Sequence, residues 1–126
     1  MSPAVALALM LLASREGAGD KIDCKQGFEA LRKEALAMPD VKTSTQPGFD
    51  IYDGLARTGY MYVLTTADHP AYPTVIRRRI FEQDGQVMLM REACGYGDRE
   101  PFERVMRHFE ANDAAIQDRL NAKPKP

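Results

Sequence analysis

Two cysteines, Cys24 and Cys94, are the only thiols in the chain and stand about 70 residues apart, so joining them would tie the start of its first helix to the end of its last strand. Whether they join depends on the compartment, and the N-terminus bears on that. Residues 4–13 read AVALALMLLA, ten apolar residues without a charge. At 1.5 Å per residue they cover about half of a ~30 Å hydrocarbon core, too little for a membrane span. The length does suit the apolar region of a secretory signal. No Lys or Arg precedes the run, and Gly17-Ala18-Gly19 sets small residues at the −1 and −3 positions of a cut before Asp20. Residues 1–19 are therefore expected to be a secretory signal peptide, with an N-terminal core helix as the alternative. The protein is then exported, periplasmic or extracellular, with no stable membrane span after signal removal. In an oxidising compartment, two thiols favour one disulfide. Closing about 70 residues is worth roughly 4 kcal/mol in the loop-entropy model.

The 126 residues are 44% hydrophobic and 28% charged, which excludes collagen-like and wholly disordered chains and leaves room for one domain, placed at 20–120. Seventeen basic residues against eighteen acidic ones give a net charge of −1. That lacks the basic excess of a nucleic-acid binder, so no nucleic-acid partner is expected.

Within the domain, Asp23 can cap a helix whose inward positions are Cys24, Phe28, Leu31, Ala35 and Met38, ended by Pro39. Residues 40–48 (DVKTSTQPG) read as a polar, mobile connector. Strands follow over 49–52 and 60–66, with turn chemistry at 53–59 between them. A two-proline loop, 67–73, leads to strands 74–83 and 86–93 flanking Asp84-Gly85, a hairpin signal whose loop length the residues leave open. After Gly95-Tyr96-Gly97, Asp98 can cap a second helix. Its stripe of Phe102, Val105, Met106, Phe109, Ile116 and Leu120 is broken only by Asp113. Residues 121–126 (NAKPKP) read as a disordered tail. The order predicts an α+β domain: an N-terminal helix, a meander of about four antiparallel strands and a C-terminal helix, with both helices on one face of the sheet.

The most unusual local feature is Arg77-Arg78-Arg79, with Arg91 on the hairpin partner strand. Strand alternation sends Arg77 and Arg79 one way and Arg78 the other. Two arginines on one face, with Arg91 nearby, suit a carboxylate or phosphate, whereas pairing with Glu82 or Glu92 would make them structural. The loop holding His69 and Tyr72 near its apex is a second candidate surface. Catalytic inventory is poor. His69 and His108 lack the spacing of a metal pair, and a disulfide consumes both thiols, so neither a metal nor a cofactor is expected. Gly95-Tyr96-Gly97 has Glu100 where a dinucleotide fingerprint needs a third glycine.

The residues thus point to a small exported, disulfide-stapled binding domain without catalytic activity. Its ligand is a small anion or an acidic protein surface, met by Arg77, Arg79, Arg91, His69 and Tyr72. The alternatives are an envelope hydrolase using the His69 loop with Asp68, and a protein inhibitor of an envelope enzyme.

Overall fold

A computed structural model describes residues 21–122. The signal expected over 1–19 lies outside them, as do all but the first two residues of the tail. Five antiparallel strands form a simple meander in the order β1-β2-β3-β4-β5: Lys42–Gln46, Phe49–Gly54, Tyr60–Thr65, Thr74–Gln83 and Gln86–Gly95. Helix α1 spans Phe28–Leu36, a single turn α2 covers Leu55–Thr58, and α3 runs from Arg99 to Leu120. None of these helices is long and apolar enough to cross a membrane.

The first helix begins later than its apolar spacing suggests. Asp23 does act as a cap, its carboxylate accepting from the Lys25 N–H, but of a short 3₁₀ turn at Cys24–Gln26. Gly27, at φ +91°, then separates that turn from α1. Cys24 and Cys94 form the expected disulfide, which fastens this N-terminal turn to the end of β5.

The connector read at 40–48 is instead mostly strand β1. All five of its residues are exposed, so it shows no apolar alternation for a sequence reading to detect. The 74–93 hairpin closes through a two-residue loop, with Gln83 opposite Gln86. Asp84 and Gly85 both take positive φ, as a type I′ turn requires.

The helices do not share a face, contrary to the expectation from element order. Phe28, Leu31 and Ala35 of α1 pack with Tyr52, Tyr62, Leu64, Val75 and Cys94. Val105 and Phe109 of α3 pack with Val63 and Ile76, which point the other way on β3 and β4, and with Ala71 of the loop between them. The reason lies in β3 and β4. Tyr62-Val63-Leu64 and Val75-Ile76 are apolar on both faces, and such strands need a cover on each side. Asn121, the residue that caps α3 after Leu120, bonds through its side chain to the backbone of Val87; the start of the expected tail is therefore anchored.

Candidate functional site

The loop between β3 and β4 is clamped at its base. Thr65 and Thr74 are both fully buried, and the Thr65 hydroxyl accepts from the Thr74 N–H at 2.8 Å. The Thr74 hydroxyl in turn donates to the Ala71 carbonyl. Backbone bonds from His69 N–H to the Thr66 carbonyl and from Tyr72 N–H to the His69 carbonyl wind the segment into successive turns. A loop with this much internal bonding can hold side chains in fixed positions on a rigid sheet.

His69 and Tyr72, grouped together by sequence, diverge across the sheet. Tyr72 packs edge-on against Phe28 at 5.3 Å, on the side of α1. His69 lies against Phe49 at 4.9 Å, and Phe49 in turn meets Phe109 of α3. His69 also sits over the backbone of Gly48, where a Cβ would come within 2.8 Å of its ring. The Ala71 N–H donates to His69 Nδ1 at 2.9 Å. An accepting Nδ1 places the proton of the neutral ring on Nε2, so His69 presents a donor there. Asp68 takes its hydrogen bond from the Thr66 hydroxyl. That bond holds the Asp68 carboxyl below its ordinary range. The Asp68–His69 pair considered for hydrolysis therefore lacks the geometry of a catalytic dyad, in which the carboxylate would accept from Nδ1–H.

A cleft of about 320 Å³ opens between this loop and the first turns of α3, walled by Phe49, His69, Pro70, Pro101, Arg104, Val105 and His108. Phe49, the two prolines and Val105 make it mostly apolar; His69, Arg104 and His108 supply donors. None of the seven carries a hydroxyl, thiol or carboxylate. The Arg104 guanidinium reaches Glu100 at 3.3 Å in an exposed i,i+4 pair, a contact too weak to immobilise it. Arg104 was not singled out from sequence, although a signal existed. Positions 101, 104, 105 and 108 follow the 3–1–3 spacing of one helix face, which continues the apolar stripe into the hydrogen-bonding side chains of Arg104 and His108.

The arginines separate as strand alternation requires, but they are largely occupied by the protein itself. Arg77 is buried and lies directly opposite Glu92, which it meets through Nη2 at 2.6 Å and Nε at 3.1 Å. Its guanidinium also stacks 4.6 Å from the Tyr60 ring centre. Burial works against its charge, but hydrogen bonds to Glu92 and Tyr62 outweigh that and raise its pKa above the ordinary value. Glu92 also accepts from the Ile22 N–H, so this pair stitches the N-terminal segment to the sheet. Arg79 shares that face and lies 4.2 Å from the Phe81 ring centre. Arg91 is not near them. It sits on the opposite face with Arg78, and both donate to Asp113 of α3. The expected grouping of Arg77, Arg79 and Arg91 thus fails because Arg91 pairs with Arg78, whose side chain points away from the other two.

Gly95 and Gly97 serve close approach. A Cβ on Gly97 would lie 2.5 Å from the Tyr72 carbonyl oxygen, and one on Gly95 would run into the Phe102 ring. Among the described residues, no group of three His, Cys, Asp or Glu side chains is placed to hold a metal ion. Fold and bridge together define a small disulfide-stabilised α+β domain with helices on both faces of a meander sheet. Comparison with family models, curated proteins and solved structures gave no match.

Proposed function

We propose that this protein is an exported, disulfide-stapled binding domain that takes a small anion with an apolar body in the cleft between the His69 loop and α3. The observation that carries this reading is the composition of the cleft: an apolar floor with the His69 Nε2 donor, Arg104 and His108 around it and no acidic side chain in its walls. Its volume lies at the lower end for small-molecule sites, which suits a ligand of few heavy atoms. A carboxylate would meet Arg104 in competition with a weak surface partner, while the ligand body covers Phe49 and Val105. The disulfide supports export, because such bridges persist in oxidising compartments.

The test is a ¹H–¹⁵N NMR titration of the oxidised protein with benzoate and hexanoate, each beside its neutral alcohol. Shifts at Ala71 and Val105 that favour the acids, with the preference lost in Arg104→Gln, support the reading. Equal effects of acids and alcohols, or shifts only elsewhere, overturn it.

A second reading, an acidic protein partner on the sheet face, is favoured by one observation. Arg79 over Phe81 lies directly opposite Met90, which is 48% exposed. On that reading Arg79→Ala weakens the complex, whereas Arg77→Ala mainly lowers stability.

A further inference from the structure

The two edges of the sheet are treated differently. At β5, side-chain amides from the end of α3 occupy the outward-facing backbone. Asn121 accepts from the Val87 N–H and donates to its carbonyl; Gln117 accepts from the Leu89 N–H at 2.7 Å and donates to the same Val87 carbonyl at 2.6 Å. At β1, no hydrogen bond from the described residues reaches the outer side. An antiparallel ladder turns the N–H and C=O of every second residue of such a strand outward, ready to pair with another strand.

We propose that β1 is the interface between two copies of this chain, paired antiparallel so that the sheet of one continues into the sheet of the other. Its sequence, Lys42-Thr43-Ser44-Thr45-Gln46, is nearly symmetric about Ser44. A two-fold axis through Ser44 sets Thr43 opposite Thr45 of the second copy, twice, and Lys42 opposite Gln46. Thr–Thr pairs favour strand association, and no like charges face each other.

That axis runs perpendicular to the sheet, so it brings the same face of both copies together. On that face Thr43 and Thr45 lie opposite Tyr52 and Asp50 of β2 and help bound a cleft of about 420 Å³ that ends at Leu36 of α1. Leu36 is 48% exposed in the single chain, a large apolar residue without cover. Pairing through β1 joins the two clefts and sets the two Leu36 side chains on either side of the seam. A C₂ contact of this kind is self-complementary and closes after two copies.

Light scattering behind size-exclusion chromatography, over a concentration series, tests the proposal. The wild-type protein is expected to be a dimer that dissociates on dilution. Thr43→Lys with Thr45→Lys, which faces lysine with lysine across the seam, is expected to weaken the dimer about tenfold or more. Thr43→Glu with Thr45→Lys makes the pairs opposite in charge and is expected to restore it. Leu36→Glu, a change at an exposed helix position, is expected to weaken the dimer even if the lysine variant folds poorly. A wild type that stays monomeric throughout, a dimer indifferent to both the double-lysine and Leu36→Glu changes, or no recovery with the Glu–Lys pair would overturn the proposal.

Discussion

The Asp113 carboxylate accepts a 2.6 Å hydrogen bond from the Arg78 guanidinium between α3 and the sheet. Its other oxygen accepts from Arg91 at 2.8 Å, and Arg78 also stacks on Phe109, 4.9 Å from the ring centre. The one polar break in the apolar stripe of α3 is thus the residue that fastens the helix to β4 and β5. The Nε atoms of both arginines are buried without a hydrogen-bond partner, so this carboxylate is the main compensation for two desolvated cations.

Asp113→Ala should therefore cost about 2–3 kcal/mol in urea denaturation, since it leaves two partly buried guanidinium groups without their carboxylate. Replacing Arg78, Arg91 and Asp113 together by Met, Met and Leu should cost much less, because the desolvation penalty goes with the charges. A loss below about 1 kcal/mol for Asp113→Ala would show that water reaches the cluster freely.

Tyr62 gives a test in alkaline solution. Burial, reinforced by its hydrogen bond to Glu34, pushes its phenol up to about 12. The unfolded chain ionises near pH 10 while the folded one still holds its proton. The stability this group contributes is thus complete below about pH 10 and is lost as pH rises toward about 12. Tyr62→Phe should flatten that part of the stability–pH curve; an identical decline in wild type and variant would contradict the assignment.

Removing the disulfide with Cys24→Ala and Cys94→Ala should lower stability by about 4 kcal/mol, the entropy of closing about 70 residues. Reductant should shift the urea midpoint of the wild type and leave the variant unchanged. Cys94 is buried and Cys24 exposed, so alanine is the less disruptive replacement at both positions.

Gly48→Ala should move His69. The new methyl meets the imidazole at 2.8 Å, at a backbone φ of +86° that disfavours a side chain. The expected result is a folded protein, destabilised by about 1–3 kcal/mol, with a changed His69 ring signal and weaker benzoate binding. An unchanged ring signal would place His69 elsewhere.

Much of the fold was legible because local rules and packing agree. The hairpin turn, the disulfide and the long amphipathic helix each have a short-range signature: Asp84-Gly85 with positive φ, two thiols, and a repeating apolar face. Strand β1 had none, since exposure on both faces removes the alternation that marks a strand. The arginine pattern was half legible. Alternation alone placed Arg77 and Arg79 together, and Glu92 was among the foreseen partners, but occupation of Arg91 by Asp113 needed α3 in position.

By itself the sequence determined which residues form strands in the hairpin and which form the C-terminal helix, together with the means of a covalent staple. These depend on neighbours within a few positions or on two thiols being present at all. Only the tertiary structure decided that the helices cover opposite faces, that His69 and Tyr72 part company, and that Arg104 and His108 join His69 around one cleft. Each of those outcomes follows from burying both faces of β3 and β4, a requirement that arises only when distant segments compete to exclude water from the same side chains.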